Sequence, residues 1–333
     1  LYNLLHDGNA TRTSPRTAKR NGRHMSNEAG QHNTQPVQLV DPTTGRPILM
    51  APQRQQRPIL TGAHAEKSAC PFCAGQEHKT PPELDAERSA DSAPDQPGWR
   101  ARAFVNKYPA NHHHEVIAES STHSEQPADL AVLDWQAVIA VWQRRIRAIE
   151  QRPGVRCAFL FKNVGALAGA SIAHNHSQLI GLDQLPPRLA LELNAATNHA
   201  RCPWCATMAT AAAEQRIIAE SEHHVVLVPD PPKLPYETWL LPRDCDDDFL
   251  ATDRASLASA LHALFCAVRD HLKNPSFNLW LHRIPGARFH WHFELQPRTG
   301  QLAGLELGGD MYINSLPAKD AAARLRGRSS ASN

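Results

Sequence analysis

Apolar residues recur along this chain with two different periods, which separate the predicted helices from the predicted strands. Large apolar side chains at positions 135, 138, 139, 142, 146 and 149 follow the spacing of a helix, and Pro153 with Gly154 ends the pattern. The same spacing returns at positions 257, 261, 264, 265, 268 and 272. The chain therefore predicts two amphipathic helices, each with one face buried against another element.

Short apolar runs bounded by glycine, proline and polar residues predict the strands. Residues 37–52 contain two such runs on either side of a Thr-Gly turn, which predicts a β-hairpin. Residues 79–98 are rich in Pro, Asp and Ala and predict an exposed excursion. The other predicted strands are 104–108, 115–119, 157–161, 179–182, 225–228, 238–241, 277–281 and 293–295.

The order of these elements occurs twice. Each half begins with a Cys-x-x-Cys pair and continues through strands, one isolated ligand-type residue, a helix, a strand, a turn and a His-x-His on a strand. A repeated order arises by chance far less often than any single motif. We predict an α+β fold built from a duplicated unit over residues 36–190 and 191–326, each copy an antiparallel sheet with a packed helix. The polar, basic residues 1–35 and the tail 327–333 are predicted to be disordered.

Charge and hydropathy exclude several classes of protein. The net charge of +2 over 333 residues argues against a broad nucleic-acid surface or an acidic partner. No apolar run reaches the roughly 18 residues of a membrane span, and no apolar signal-peptide core opens the sequence. We therefore expect a cytoplasmic protein without a nucleic-acid or membrane partner.

Four of the seven cysteines form two Cys-x-x-Cys pairs, which in a cytosolic chain indicate metal binding more than disulfides. Two thiolates from a tight pair and two later ligands supply the donor set of a closed, structural, tetrahedral zinc site. A redox dithiol is the alternative, although neither pair lies in a thioredoxin-like context. The expected zinc ligands are Cys70, Cys73, His123 and His174 in the first half, and Cys202, Cys205, Cys245 and either His290 or His292 in the second.

The chain is organised around residues 163–178, which read NVGALAGASIAHNHSQ. Small residues in this turn leave backbone N–H groups free to approach an anion such as phosphate. His174 and His176 would share one face of the strand that follows, and a histidine beside a phosphate cradle can act as a nucleophile toward phosphorus. An isolated His-x-His is more often a loop without chemistry. The glycines and the distant cysteines favour a site.

Two further polar groups have competing interpretations. Arg54 and Arg57, three residues apart, can clamp a phosphate or a nucleotide, or can simply be solvated. The run His112, His113 and His114 lies between two predicted strands, and we interpret it as a solvated turn rather than a metal site.

Seven motifs together resemble the galactose-1-phosphate uridylyltransferase family, a two-repeat branch of the histidine-triad superfamily. The motifs are R-P-x-x-x-x-P-x-R-x-x-R, C-P-F-C, F-x-N-K-Y-P, N-x-G-A-x-x-G-A-S-x-x-H-x-H-S-Q, P-x-E-T-W-L-L-P, H-W-H-F-E-L and A-G-L-E-L-G-G-D-M-Y-I-N. The match runs from about residue 37 to residue 326, and the central motif is its most specific part. The resemblance implies that residues 36–190 and 191–326 are two histidine-triad-like domains, of which the first carries the catalytic HNHSQ.

The resemblance implies a ping-pong nucleotidyl transfer. His176 would attack the α-phosphorus of a nucleotide sugar and hold the nucleotidyl group until an acceptor removes it, while Gln178 hydrogen-bonds the phosphoryl oxygens. His174 would be the zinc ligand next to this nucleophile. The resemblance also implies a homodimer. The expected substrate-binding residues are Arg54, Arg57, Asn106, Asn163, Gly165, Gly169, Ser171 and Asn314.

The leading expectation for the substrates is UDP-glucose as donor and a hexose 1-phosphate, such as galactose 1-phosphate, as acceptor. Asn175 and Ser177 depart from the wording of the classical uridylyltransferases, and residues 300–304 lack the lysine that contacts the sugar phosphate in them. The H-x-H-S-Q wording and the second Cys-x-x-Cys look closer to ADP-glucose phosphorylase, which transfers adenylyl to inorganic phosphate. ADP-glucose with phosphate is therefore the alternative. A related nucleotide hydrolase and a zinc-stabilised nucleotide-binding module without turnover are further alternatives, and His176 with Gln178 argues against the module.

Overall fold

The structure, a computed structural model, describes residues 35–58 and 70–327. The segments predicted to be disordered, 1–35 and 327–333, lie outside these residues except for Gln35 and Gly327. Within the described part of the chain, no helix is both long enough and apolar enough to cross a membrane. The cytoplasmic location stays a prediction.

Twelve strands and six α-helices occur in the described residues. The strands are β1 (Val37–Val40), β2 (Pro47–Met50), β3 (Glu83–Arg88), β4 (Trp99–Val105), β5 (His114–Ala118), β6 (Cys157–Val164), β7 (His176–Leu182), β8 (Ile217–Glu220), β9 (His224–Leu227), β10 (Thr238–Pro242), β11 (Phe277–His282) and β12 (His292–Pro297). The helices are α1 (Val132–Glu150), α2 (Pro187–Asn198), α3 (Pro203–Ala211), α4 (Arg254–His271), α5 (Gly304–Gly309) and α6 (Ala318–Leu325).

Ten of these strands form one sheet in the order β3-β4-β5-β7-β6-β11-β12-β10-β9-β8, and all neighbours are antiparallel. Each half of the chain contributes five strands, which run outward from the centre in mirror order. The halves meet where β6 pairs with β11 and Val164 lies opposite Phe277. The predicted α+β duplication is therefore present, and its two copies form one continuous sheet. The predicted hairpin is the separate pair β1 and β2.

Helices α1 and α4 pack against this sheet and against each other, where their predicted apolar faces meet. Trp135 and Trp142 of α1 and Phe265 of α4 belong to one buried core with the inward side chains of the sheet. The rings of Trp135 and Phe265 lie 4.9 Å apart. Full burial of a large apolar side chain contributes roughly 1.5–3 kcal/mol, so this contact holds the two halves together.

The interpretation of residues 79–98 as an exposed excursion is wrong in part, because they contain β3. This strand lies at the edge of the sheet and is charged rather than apolar. Arg144 of α1 binds Asp85 at 2.9 Å and also contacts Glu87. A strand is predicted from alternating apolar and polar residues, and β3 has charged residues in ion pairs instead. The sequence pattern therefore did not predict this strand.

Candidate active site

A cavity of about 270 Å³ opens in the first half of the chain, beside β7. Its wall includes the imidazole of His176 and the amide of Gln178, the two predicted catalytic residues. Arg57, Asn106 and Ser171, predicted to bind substrate, line the same cavity. The structure thus brings five of the predicted residues together around one space.

The alternation of β7 explains why both catalytic candidates reach this cavity. His176 and Gln178 are two residues apart and point to the same side of the strand. Ser177, between them, points to the opposite side and accepts a hydrogen bond from the indole of Trp142 at 2.7 Å. Helix α1 therefore anchors β7 from behind while the catalytic side chains face outward.

One hydrogen bond fixes the chemical form of His176. Its Nδ1 lies 2.8 Å from the carbonyl oxygen of His174, and a carbonyl can only accept, so Nδ1 carries the proton. The Nε2 atom is then the one with the free lone pair. Burial, with Lys162 and Arg57 nearby, lowers the pKa of His176 to about 4, so the ring is neutral at physiological pH. A neutral imidazole with a free Nε2 is the form that can attack phosphorus.

A buried ion pair supports the backbone of the His-x-His segment from inside. Lys162 on β6 contacts Glu119, and both side chains are almost completely buried. The same ammonium group donates to the side-chain oxygen of Asn175 at 3.2 Å and to the carbonyl oxygen of His176 at 3.3 Å. The backbone N–H of Glu119 also donates to the carbonyl oxygen of Asn175 at 3.1 Å. Lys162 is not among the predicted site residues, because it directly follows the predicted strand 157–161 and belongs to no motif.

The glycine-rich turn is shaped by the second half of the chain. Gly165 and Gly169 have φ values of 80° and 82°, which favour glycine. A Cβ atom on Gly165 would lie 2.2 Å from the hydroxyl of Ser276. The side-chain oxygen of Asn163 accepts a hydrogen bond from Asn278 at 2.8 Å. Ser276 and Asn278 thus hold the turn that leads to Ser171. The predicted substrate-binding residues Asn163, Gly165 and Gly169 do not line the cavity itself.

Two further predicted substrate-binding residues also lie away from the cavity surface. Arg54 donates to the carbonyl oxygen of Tyr108 at 2.8 Å and so supports the wall next to Asn106. Asn314 donates to the carbonyl oxygen of Pro232 at 3.1 Å and lines a different cavity. Within a single chain, the structure does not bring Asn314 to His176.

The first predicted metal cluster is assembled next to the active cavity. Ligand atoms of Cys70, Cys73, His123 and His174 all lie within 4.8 Å of one another. The Nδ1 of His174 is 3.6 Å and 3.5 Å from the two sulfurs, and the Nδ1 of His123 is 3.7 Å from Cys73. Sulfur and nitrogen ligands of one tetrahedral zinc ion are separated by about 3.6 Å, so the four residues fit this metal.

The environment of this cluster also fits a metal site. His174 donates its Nε2 proton to the carbonyl oxygen of Ser120 at 2.8 Å, which leaves Nδ1 free to face the sulfurs. Burial, followed by the nearby Cys70 thiol, raises the pKa of Cys73 to about 12. Two crowded, desolvated sulfurs need a cation to become thiolates. Because His174 also supplies the carbonyl that orients His176, the cluster is linked to the imidazole at the cavity wall through one residue.

The second cluster repeats this geometry with three residues. Cys202, Cys205 and His290 lie together, and the Nδ1 of His290 is 3.4 Å and 3.7 Å from the sulfurs. Its Nε2 donates to the carbonyl oxygen of Pro242 at 2.9 Å. Cys245 lines the same cavity and its side chain contacts Cys205; burial, followed by Cys202 and Cys245, raises the pKa of the Cys205 thiol to about 12. Of the two candidates in the motif, the structure brings His290 to the sulfurs, and His292 points elsewhere.

His292, the counterpart of His176, lies in a charged network. Its imidazole lies beside Glu192, His282 and Glu294, and the nitrogen and oxygen atoms of the four side chains are within 4.8 Å of one another. Both oxygens of the Glu294 carboxylate are already paired, one with Arg188 at 2.9 Å and the other with Lys233 at 3.0 Å.

Two indole rings pack against the imidazole of His292. The ring centroid of Trp204 is 5.1 Å away and that of Trp239 is 5.6 Å away. The equivalent positions around His176 carry Phe72 and Val116. The larger side chains leave His292 fully buried, whereas His176 lines a cavity.

An antiparallel sheet with a His-x-His strand and a Cys-x-x-Cys cluster in each half defines the class of galactose-1-phosphate uridylyltransferase-like enzymes. A family model described as a domain of unknown function (DUF4921) matches residues 109–328, and the chain belongs to this family.

Individual relatives agree with this class. The chain is 27% identical to ADP-glucose phosphorylase of Arabidopsis thaliana, over 88% of this chain and 93% of that protein. It is 25% identical to galactose-1-phosphate uridylyltransferase of Thermotoga maritima, over 86% of this chain and 96% of that protein. A crystal structure of an ADP-glucose phosphorylase from Arabidopsis thaliana with bound ADP-glucose has a TM-score of 0.70 and 28% identity, covering 89% of this chain and 100% of that one.

These relatives confirm the predicted family, its ADP-glucose phosphorylase branch, the fold class and an enzyme of the nucleotidyltransferase type. They include both an ADP-glucose phosphorylase and a uridylyltransferase at similar identity.

Proposed function

We propose that this enzyme transfers a nucleotidyl group from a nucleotide sugar to a phosphate-bearing acceptor through a covalent bond to Nε2 of His176. The observation that carries the proposal is the neutral imidazole at the cavity wall, with Nδ1 bound to a carbonyl and with no hydrogen-bond partner for Nε2 among residues 35–58 and 70–327. Its lone pair attacks the α-phosphorus, and the bond between that phosphorus and the bridging oxygen breaks. The sugar 1-phosphate leaves with the electron pair. An oxygen of the acceptor phosphate then attacks the same phosphorus and releases the imidazole.

The groups around His176 suit the charge that develops on the phosphoryl oxygens. Gln178 offers amide N–H donors from the next outward position of β7. Arg57 supplies a positive charge, and Ser171 follows the glycine turn with a hydroxyl at the cavity wall. Fixed donors of this kind stabilise a transition state without reorganising during the reaction.

We propose ADP-glucose as the first donor to test, with inorganic phosphate as the acceptor. The second Cys-x-x-Cys cluster and the H-x-H-S-Q wording support this choice, because the resemblance associates both with the ADP-glucose phosphorylase branch. Residues 300–304 read GQLAG and offer no cation for a sugar phosphate, which also favours a small acceptor. The second candidate is UDP-glucose with a hexose 1-phosphate, which is supported by the similarity to the Thermotoga maritima uridylyltransferase.

We also propose zinc as the resident metal of both clusters. Sulfur-to-nitrogen distances of 3.4–3.7 Å in both halves support a tetrahedral ion with soft ligands. The ion of the first half would be structural, because four protein ligands fill its coordination positions, and Cys245, which contacts Cys205, would be the fourth ligand in the second half. In the first half the ion would fix His174, and through the carbonyl of His174 it would fix the direction of the His176 ring.

We further propose that the enzyme acts as a homodimer. The hairpin of β1 and β2 exposes apolar side chains, among them Leu39 and Met50, and the segment around α5 exposes Leu307 and Ile313. Contiguous exposed apolar residues are typical of an interface.

The test is covalent labelling without an acceptor. The protein is incubated with ADP-glucose or UDP-glucose carrying a radioactive α-phosphate, and the label is tested for acid lability and mapped by peptide analysis. The expected result is an acid-labile label on His176 from one of the two donors, discharged by phosphate or by galactose 1-phosphate. Absence of label from both donors, with both bound in equilibrium measurements, would indicate a binding module and refute the proposal.

A further inference from the structure

The third residue of the histidine run has a different environment from the one its sequence suggests. His114 begins β5 and is only 2% exposed, whereas His112 remains at the surface. In the register of β5 and β7, His114 lies opposite Ile180, so Gln178 is its diagonal neighbour on the same face. The run is therefore not a solvated turn throughout, and its last imidazole lies behind a catalytic candidate.

The hydrogen bonds of His114 define its tautomer. The backbone N–H of Ala110 donates to Nδ1 at 2.9 Å, and a backbone N–H can only donate, so Nδ1 carries no proton. The proton is then on Nε2, which lies 3.0 Å from Oε1 of Gln178 and donates to it. Burial, together with the charge of Arg54, lowers the pKa of His114 to about 4 and keeps this neutral form at physiological pH.

This contact determines which end of the Gln178 amide faces the cavity. A glutamine amide has one acceptor end and one donor end, and a flip would exchange them. With Oε1 bound to an N–H, a flipped amide would place two donors against each other. The NH₂ group is thereby directed away from His114, toward the space in front of His176.

We propose that His114 is a positioning residue that holds the Gln178 amide with its donors toward the phosphoryl group. The inference rests on the proposed function, because it assigns a role to the donors of Gln178. The amide nitrogen of Asn106 lies 3.2 Å from Nε2, and because both atoms carry protons this contact is not a hydrogen bond. The side-chain oxygen of Asn106 is occupied by the backbone N–H of Tyr108 at 2.9 Å, so it does not replace the contact to Gln178.

The experiment compares two substitutions at this position in steady-state transfer, using whichever donor and acceptor pair the wild-type protein turns over. His114→Phe keeps a ring but removes the donor, and we expect kcat to fall about tenfold with little change in KM. His114→Gln places an amide N–H where Nε2 was and should restore kcat to within about threefold of wild type. His112→Phe, in the same run but exposed, is the matched control and should leave kcat unchanged.

A double-mutant cycle separates positioning from simple packing. Gln178→Ala should lower kcat about a hundredfold, and adding His114→Phe to it should cause no further loss, because the group being oriented is gone. Losses that multiply, or a His114→Gln variant as slow as His114→Phe, would overturn the inference. If Gln178→Ala keeps the wild-type kcat while His176 still takes the label, this inference fails and the proposed function stands. If His176 takes no label, the proposed function itself fails.

Discussion

His176 and His292 occupy the same position on two equivalent strands, yet only one of them can reach a substrate. Each imidazole directs Nδ1 at the carbonyl oxygen of the histidine two residues earlier, at 2.8 Å and 3.0 Å respectively. The backbone thus prepares both rings in the same way. What differs is the surroundings: His176 borders a cavity, and His292 is enclosed by Trp204 and Trp239.

The first prediction uses this pair of histidines. Asparagine places an N–H close to the position of Nδ1, so it can keep the bond to the carbonyl while removing the Nε2 lone pair. We expect His176→Asn to lower transfer by at least about a thousandfold and to abolish covalent labelling. His292→Asn should still take the label on His176. Peptide mapping after incubation with the labelled donor measures both variants, and a label on His292 in His176→Asn, or no label on His176 in His292→Asn, would contradict the assignment.

The second prediction concerns the metal clusters. We expect about two zinc ions per wild-type chain, and about one after either Cys70→Ser or Cys202→Ser. Both variants should unfold at lower urea concentration, because a structural zinc contributes folding free energy directly. Only the first cluster includes His174, so the loss of kcat should be larger in Cys70→Ser than in Cys202→Ser. Elemental analysis, urea titration and transfer rates measure the three effects, and equal losses of kcat would argue against the link through His174.

The third prediction concerns the buried pair of Lys162 and Glu119. Removing one partner leaves an uncompensated charge in the core, so Lys162→Met should reduce the free energy of unfolding by about 3–5 kcal/mol. Replacing both partners, as in Lys162→Met with Glu119→Leu, should recover part of that loss because no charge remains buried. Urea denaturation measures both variants.

A surface ion pair provides the control for this measurement. Arg243 and Glu220 have side chains that are 43% and 56% exposed. Arg243→Met should therefore cost less than about 1 kcal/mol. A double variant at Lys162 and Glu119 that is less stable than Lys162→Met alone would contradict the prediction.

Local periodicity was sufficient for α1 and α4 and for the central strands, because their side chains alternate between a buried core and another surface, but it did not predict α2, α3, α5 and α6. It failed for β3, where Asp85 and Glu87 find their partner Arg144 on a helix far along the chain. Spacing of cysteines and histidines picked out residues that the structure brings together as two Cys–His groups. It could not choose between His290 and His292, because both belong to one motif and only the sheet decides which ring faces the sulfurs.

The residues that support the site from behind were missed for the same reason. Lys162 and His114 act through contacts with residues that are distant in sequence, at the carbonyl of His176 and the amide of Gln178. Neither lies in a motif with a fixed spacing. A histidine run is usually interpreted as a solvated turn, and a lysine beside an apolar strand as a surface residue. Only the burial of His114 and Lys162 in the structure separates them from these common cases.

The fourth prediction concerns the pH dependence of stability through His224. Burial lowers its pKa from 6.5 to about 4, with Asp247, His223 and Asp253 as the nearby charged groups. Its Nδ1 contacts the hydroxyl of Ser256 at 2.9 Å, and its Nε2 has no hydrogen-bond partner among the described residues. In the unfolded chain the ring binds a proton below about pH 6.5, but in the folded chain only below about pH 4.

The contribution of neutral His224 to the free energy of unfolding is therefore complete above about pH 6.5, and it is lost as the pH falls toward 4. We expect His224→Phe to reduce the slope of unfolding free energy against pH in this window by up to about 1.4 kcal/mol per pH unit, the effect of one proton. Urea titrations at several pH values measure the slope. His223→Phe is the neighbouring control, since burial and not the charge of His223 is the main cause of the lowered pKa of His224. An equal change of slope in that variant would contradict the assignment.

The fifth prediction uses the difference between the two halves, in which a cavity borders His176 and indole rings enclose His292. Val116 lies opposite Gln178 in β5, and Trp239 lies opposite Glu294 at the equivalent place in β10. The fold therefore already accommodates an indole at this position in one of its two copies. Val116→Trp should close the cavity beside His176 and raise the dissociation constant of ADP-glucose or UDP-glucose by at least about a hundredfold, while the protein keeps its fold and its metal content.

Val105→Trp, on the exposed side of β4, is the matched control, because Val105 is 41% exposed and its substitution should leave binding unchanged. Isothermal titration and metal analysis measure both variants. A Val116→Trp protein that is folded and still binds either nucleotide sugar as tightly as the wild type would mean that the cavity beside His176 is not the place where the donor binds.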